Sequence, residues 1–243
     1  MSAVPFRTLL LVEARKLVDT RSGRAVAAVM IALSVAAVAG RATVTEPRLV
    51  TLAGTAGIGY GPLLTVLAIL TMTTEWSHRT ALTTFALEPR RVRVLAAKCL
   101  PPLVMAMAAP LAALLVAVPV TAVAASVRGV PAVWEVAPSA LLGTVVTTAL
   151  LAAQALAMGL LLLNAPAAIV ICLSNTLIWS TVALLGDAGA ALAAWLDLNH
   201  TTDPLVNGRL TGGDAVRLAV SVTVWILAPM AAGAVRVIRK EVG

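Results

Sequence analysis

The stretch VAPSALLGTVVTTALLAAQALAMGLLLL, Val136–Leu163, decides the fold. It carries no charged residue, and its polar side chains are Ser, Thr and a single Gln154. As a helix rising about 1.5 Å per residue it exceeds the roughly 30 Å hydrocarbon thickness of a bilayer. A barrel strand would instead show about ten residues alternating in polarity. A helix closes its own backbone hydrogen bonds, so this stretch reads as a spanning helix entered through Pro138.

The rest of the chain follows the same pattern. Of 243 residues, 60% are hydrophobic and 12% charged, an excess of apolar side chains too large for one soluble core. Five further runs read as spans: 25–40, 49–74, 94–127, 165–186 and 215–235. Prolines at 101, 102, 110 and 119 fall in the third span, and Pro229 marks a kink in the last. Asn164–Pro166 leaves room only for a tight hairpin between spans four and five. The expected fold class is an all-α membrane protein with six transmembrane helices. Ahead of them, residues 5–22 place Phe6, Leu9, Leu10, Leu17 and Val18 on one helical face, which reads as an amphipathic helix in the interface plane. Glu13 and Lys16 are spaced to pair. Arg15, Lys16, Arg21 and Arg24 precede the first apolar run with no small-residue cleavage site after it, which reads against a cleavable signal peptide.

Charge sets the orientation. With the N-terminus inside, five Lys and Arg lie in the N-terminal segment, five between Thr73 and Lys98, and three at the C-terminus. Five lie outside: Arg41, Arg48, Arg128, Arg209 and Arg217. The positive-inside rule then puts both termini in the cytoplasm, the chain being multi-pass in the plasma membrane. The net charge of +7 is thereby a matter of topology, and nucleic acid is not an expected partner. The long outer segment 187–214 reads as a short helix over 188–198, capped by Asp187, followed by loop.

Much common chemistry is missing from the sequence. It has no GxxxxGK[ST], no HExxH and no GxSxG, and its two histidines, His78 and His200, lie in loops. Cys99 and Cys172 have neither metal-ligand nor disulfide spacing. No charged side chain falls mid-span, against a proton-coupled transporter. GTAGIGYG, Gly54–Gly61, does not open a helix after a strand and reads as close packing or an unwound turn. The mid-span polar groups Gln154, Asn164, Ser174, Asn175, Thr176 and Ser180 read first as interhelical glue.

One polar island interrupts the apolar runs: TTEWSHRTALTTFALEPRRVRVLAAK, Thr73–Lys98. Snorkelling to lipid phosphates accounts for Arg90, Arg91 and Arg93. It does not account for Glu75, Trp76, His78 and a short helix ended by Pro89, which fit a groove on a cytoplasmic subunit. Glu75, Arg79-Thr80, Pro89, Arg91 and Lys98 resemble the intracellular loop of type-2 ABC exporter permeases, particularly their Ala- and Arg-rich actinobacterial members. VEARKLVDTRSG is similar to that family's elbow helix, with Glu13, Arg15 and Lys16, and the C-terminal span is similar to its last. The resemblance implies a permease subunit that pairs with a second permease, as homodimer or heterodimer, and rests on a separate ABC ATP-binding subunit. ATP and Mg would be bound by that ATPase, with no cofactor, metal or catalytic residue in this chain. The docking loop, 75–93, would comprise Glu75, Trp76, His78, Arg79, Thr80, Phe85, Pro89, Arg90 and Arg91. Substrate, amphipathic or lipidic, would pass along the second and fifth spans near Tyr60, Asn175 and Trp179, under a short helix near Trp195. A non-transport immunity or assembly factor on the same scaffold is the alternative.

Overall fold

The computed structural model describes residues 5–77 and 90–239. Among them it is all-helical, and six helical stretches of 19 to 38 residues are long and apolar enough to cross a membrane. The chain is a multi-pass membrane protein. Helix α1 (Phe6–Asp19) leads into α2 (Arg21–Val44), the first span, with Thr20 accepting from Gly23 N–H at its start. The second span is α3 (Leu49–Thr55) followed by α4 (Gly57–Ser77). The third is α5 (Arg91–Arg128), the fourth α6 (Pro138–Leu162) and the fifth α7 (Ala165–Ala183). Two short helices, α8 (Asp187–Leu196) and α9 (Leu198–Val206), precede the sixth span. That span runs through α10 (Gly212–Val222), a π-helical turn (Thr223–Leu227) and α11 (Ala228–Arg239).

Several expectations shift. The first and last spans are longer than 25–40 and 215–235, extending to Arg21–Val44 and Gly212–Arg239. The segment after 198 is not all loop. Asp197 accepts from Asn199 N–H at 3.0 Å, Thr202 donates back to Leu198 O at 2.9 Å, and α9 forms with Leu198, Thr201 and Thr202 buried. Residues that favour turns in isolation here cap and pack a helix. At α8 the cap position belongs to Gly186, whose φ of 85° suits glycine, and Asp187 lies in the first turn.

The prolines behave as lipid-embedded prolines can. Helix α5 runs 38 residues without a break past all four, burying a stripe through Val94, Lys98, Pro102, Ala106, Pro110, Ala113, Ala117, Thr121 and Ala124. Pro229 has no N–H for the Trp225 carbonyl, and the helix widens into the π turn just before it, where Ala228 N–H reaches back to Thr223 O. The α6–α7 hairpin is as tight as expected. Leu163 takes a φ of 51°, and the Asn164 side chain accepts from Ala167 N–H at 3.1 Å.

Helix α6 is the hub, touching α4, α5, α7, α9 and α11. Small residues make this possible, since two membrane helices associate by close backbone packing. A Cβ on Gly143 would stand 1.8 Å from Leu205 O of α9, and one on Gly59 of α4 would stand 2.3 Å from the Ser34 nitrogen of α2. Of the two alternatives for the GTAGIGYG stretch, close packing is found at Gly59, while Ala56, between α3 and α4, keeps right-handed helical dihedrals. At the end where α2 stops, Arg128 of α5 donates to Thr45 O, and the 45–48 and 129–137 linkers join through Val133 N–H to Pro47 O at 3.0 Å.

Candidate functional site

The helices cross alternately up and down, so α1, the last turn of α4, the first turns of α5 and the last turn of α11 gather at one end. There the sequence has placed charge inside an apolar face. Phe6, Leu9, Leu10 and Leu17 turn inward on α1, and so does Glu13, only 6% exposed. Its partner comes from α5: Lys98 Nζ lies 3.0 Å from Glu13 Oε2. Lys98 is 5% exposed and also lies 2.7 Å from Glu75 Oε1 at the end of α4. Lys16 completes the group, 2.7 Å from Glu13 Oε1 and 2.9 Å from Glu75 Oε1. Two carboxylates and two ammonium groups alternate in a ring, and each ion touches two of opposite sign. Burial opposes charge on Lys16 more than any other influence, yet hydrogen bonds and attraction from Glu13 and Glu75 outweigh it and raise its pKa above 10.5.

The ring ties α1 to both helices that border segment 78–89. Arginines tighten the same end. Arg91 donates to Val237 O at 2.5 Å, and Arg236 donates to Leu161 O at 2.6 Å, so carbonyls near the ends of α11 and α6 are satisfied by guanidinium groups. Of the expected docking residues, Glu75 and Arg91 thus make internal contacts, Arg90 is exposed, and Trp76 packs against the buried cluster that contains Ile69 and Met72. His78, Arg79, Thr80, Phe85 and Pro89 lie outside the described residues. On α1, Glu13 and Lys16 join the ring while Arg15 is exposed.

The expected path residues do not share one cavity. Tyr60 lines an apolar cavity of about 280 Å³ between α3, α5 and α6, with Pro110, Leu114 and Thr144. Its hydroxyl hydrogen-bonds the Thr148 side chain, which belongs to a second, more polar cavity of about 240 Å³. Asn175 is buried with its Nδ2 unpartnered, and the Trp179 ring meets Trp225 edge-on at 6.4 Å between centroids. Neither lines a cavity described here. The second cavity is lined by Gln154, Thr65, Thr148, Thr176 and Asn199, which no spacing along the chain groups together. Near the opposite end, a cleft of about 320 Å³ lies between α9 and α10 with His200, Asp203, Arg209, Asp214 and Arg217, and Arg217 sits 5.8 Å from the Trp195 ring centroid. Among the described residues, no three His, Cys, Asp or Glu side chains come together as metal ligands would.

No family model, curated protein or solved structure matches the chain.

Proposed function

We propose that the chain is the membrane-spanning permease subunit of an ATP-driven ABC exporter. In this reading, hydrolysis on a separate ATP-binding subunit drives efflux of an amphipathic or lipidic substrate. The reading rests on the resemblance of the loop, of α1 as the elbow helix and of the tail, and one observation carries it further. The four residues that the resemblance marks at the elbow and at the two edges of the loop, Glu13, Lys16, Glu75 and Lys98, form a single ionic ring. A push on segment 78–89 would reach α4, α5 and α1 together through that ring, which is what a coupling loop requires. The ATPase would dock on the cytoplasmic face of the plasma membrane, where both termini also lie, and a second permease would complete the pair.

Co-purification tests this. The tagged chain, expressed with candidate ABC ATP-binding subunits and solubilised gently, is expected to bring one down together with ATPase activity. Replacing His78, Arg79 and Arg90 by Ala is expected to abolish that association while the chain still inserts. Normal association in the triple variant sinks the docking role of the loop. A wild-type chain that purifies alone and inert sinks the permease reading and favours a non-transport scaffold.

A further inference from the structure

A second concentration of charge lies at the end of the bundle away from both termini. The cleft of about 320 Å³ between α9 and α10 is bordered by Arg209 and Arg217, by Asp203 and Asp214, and by His200. The Arg and Asp side chains sum to zero. Each carboxylate keeps to its own element: Asp214 accepts from the Thr211 N–H and hydroxyl in the capping box of α10, and Asp203 lies 3.9 Å from His200 on α9. Among the described residues, neither guanidinium forms a salt bridge or a side-chain hydrogen bond. Two charges of each sign thus line one cleft without pairing across it.

The chemistry of the wall selects the occupant. The Trp195 ring, 5.8 Å from Arg217, attracts that cation but is no oxygen acceptor, so both guanidinium groups keep N–H donors to give. Guanidinium donors suit a phosphate, whose oxygens accept them in pairs. A phosphate alone would also face Asp203 and Asp214 with nothing to offset them. The Asp203–His200 separation is too long for a hydrogen bond, so the Asp203 oxygens remain open to a donor. A primary ammonium brings three such donors, whereas a trimethylated one brings none. The surroundings are those of a membrane surface. Helix α10 opens the sixth span, and Trp195, Val206, Leu210 and Val216, neighbours in sequence of the cleft residues, are exposed. Trp and Arg at the end of a span sit at headgroup level.

We propose that this cleft binds the headgroup of phosphatidylethanolamine, with its phosphate on Arg209 and Arg217 and its ammonium on Asp203. The cleft volume is roughly eleven waters at ~30 Å³ each, room for the head while the tails lie in the bilayer. The site stands on the cleft and the multi-pass fold, and it holds whether or not the chain pairs with an ATPase.

The test is native mass spectrometry of the purified full chain in neutral detergent, titrated with dioctanoyl phosphatidylethanolamine. Parallel titrations use dioctanoyl phosphatidylcholine, dioctanoyl phosphatidylglycerol and soluble glycerophosphoethanolamine. One phosphatidylethanolamine is expected to be retained per chain, with all three others clearly weaker. Arg209→Gln and Arg217→Gln are each expected to weaken it about tenfold, the worth of a hydrogen bond to a charged group. Asp203→Asn is expected to erase the preference for phosphatidylethanolamine over phosphatidylglycerol, an outcome that misfolding would not mimic. All three side chains are exposed, and Arg209 lies in the linker between α9 and α10, so these exchanges spare the packed helices. The ranking of lipids on the wild-type chain carries the test without any variant. The proposal is overturned by an absence of saturable binding, by any of the three other ligands binding as tightly, by either arginine variant binding like the wild type, or by a preference that survives Asp203→Asn.

Discussion

The ionic ring makes a quantitative demand on Lys98. Lys98→Met keeps the length and apolar stem of the side chain and removes only the charge. The four ring members then sum to −1 instead of zero, and among them Lys16 is the one cation left to Glu13 and Glu75. Lys16 is the most exposed of the four, at 46% of its side chain, so it compensates least well. Removing one partner of a buried ion pair costs about 3–5 kcal/mol, because the other charge stays buried. At roughly 2–4 °C per kcal/mol for a chain of this size, the melting temperature falls by about 6–20 °C. Adding Glu75→Gln restores neutrality and leaves the Glu13–Lys16 pair at 2.7 Å intact. The double variant is therefore expected to recover more than half of the loss. Thermal unfolding in a single detergent, over wild type, both singles and the double, gives the coupling directly. A Lys98→Met variant as stable as wild type, or a double variant that loses the sum of both singles, refutes the ring as a cooperative unit.

Three further outcomes follow. Because the Lys16 pKa is raised above 10.5, its contribution is complete below that pH and disappears as pH climbs through the higher folded value; alkaline stability scans should show a loss above pH 10.5 that Lys16→Met removes. Single cysteines at Arg209 and Ser77, both exposed, report the orientation: a membrane-impermeant thiol reagent should reach the first in intact cells and the second only after permeabilisation, and the reverse pattern inverts the proposed topology. Gly143→Ala should lower the melting temperature by several degrees, since overpacking costs about 1–3 kcal/mol and the new Cβ would stand 1.8 Å from Leu205 O; an unchanged melting curve denies the close α6–α9 contact.

What could be read from the sequence was what depends on local order. Apolar length located all six spans, and Asn164–Pro166 announced the hairpin because a loop that short permits nothing else. Glu13 and Lys16 could be paired by their spacing on one helix. Their meeting with Glu75 and Lys98 could not, because residues 13 and 98 are joined by no periodicity and touch only after three helices pack. Helix α9 was hidden for a different reason. NHTTDPLV has the composition of a turn, and only the Asp197 cap and the burial of Leu198 make it helical. Gln154 was visible as a mid-span polar residue and read as interhelical glue. The sequence does not disclose that its amide nitrogen has no partner among the described residues, since that depends on what the neighbouring helices fail to offer.

The central place of α6 has a consequence for the order in which the protein takes shape. Synthesis delivers α2, α3–α4 and α5 to the membrane before α6 exists. Until Leu162 emerges, Ala68, Ile69 and Met72 of α4 face lipid or one another instead of Ala155, Leu156 and Leu160. The first three spans share a buried cluster of their own, but the α4 face that α6 covers stays open until the fourth span enters. Any nascent chain stalled upstream of that point exposes small-residue faces to the bilayer and depends on the insertion machinery to keep them from foreign partners.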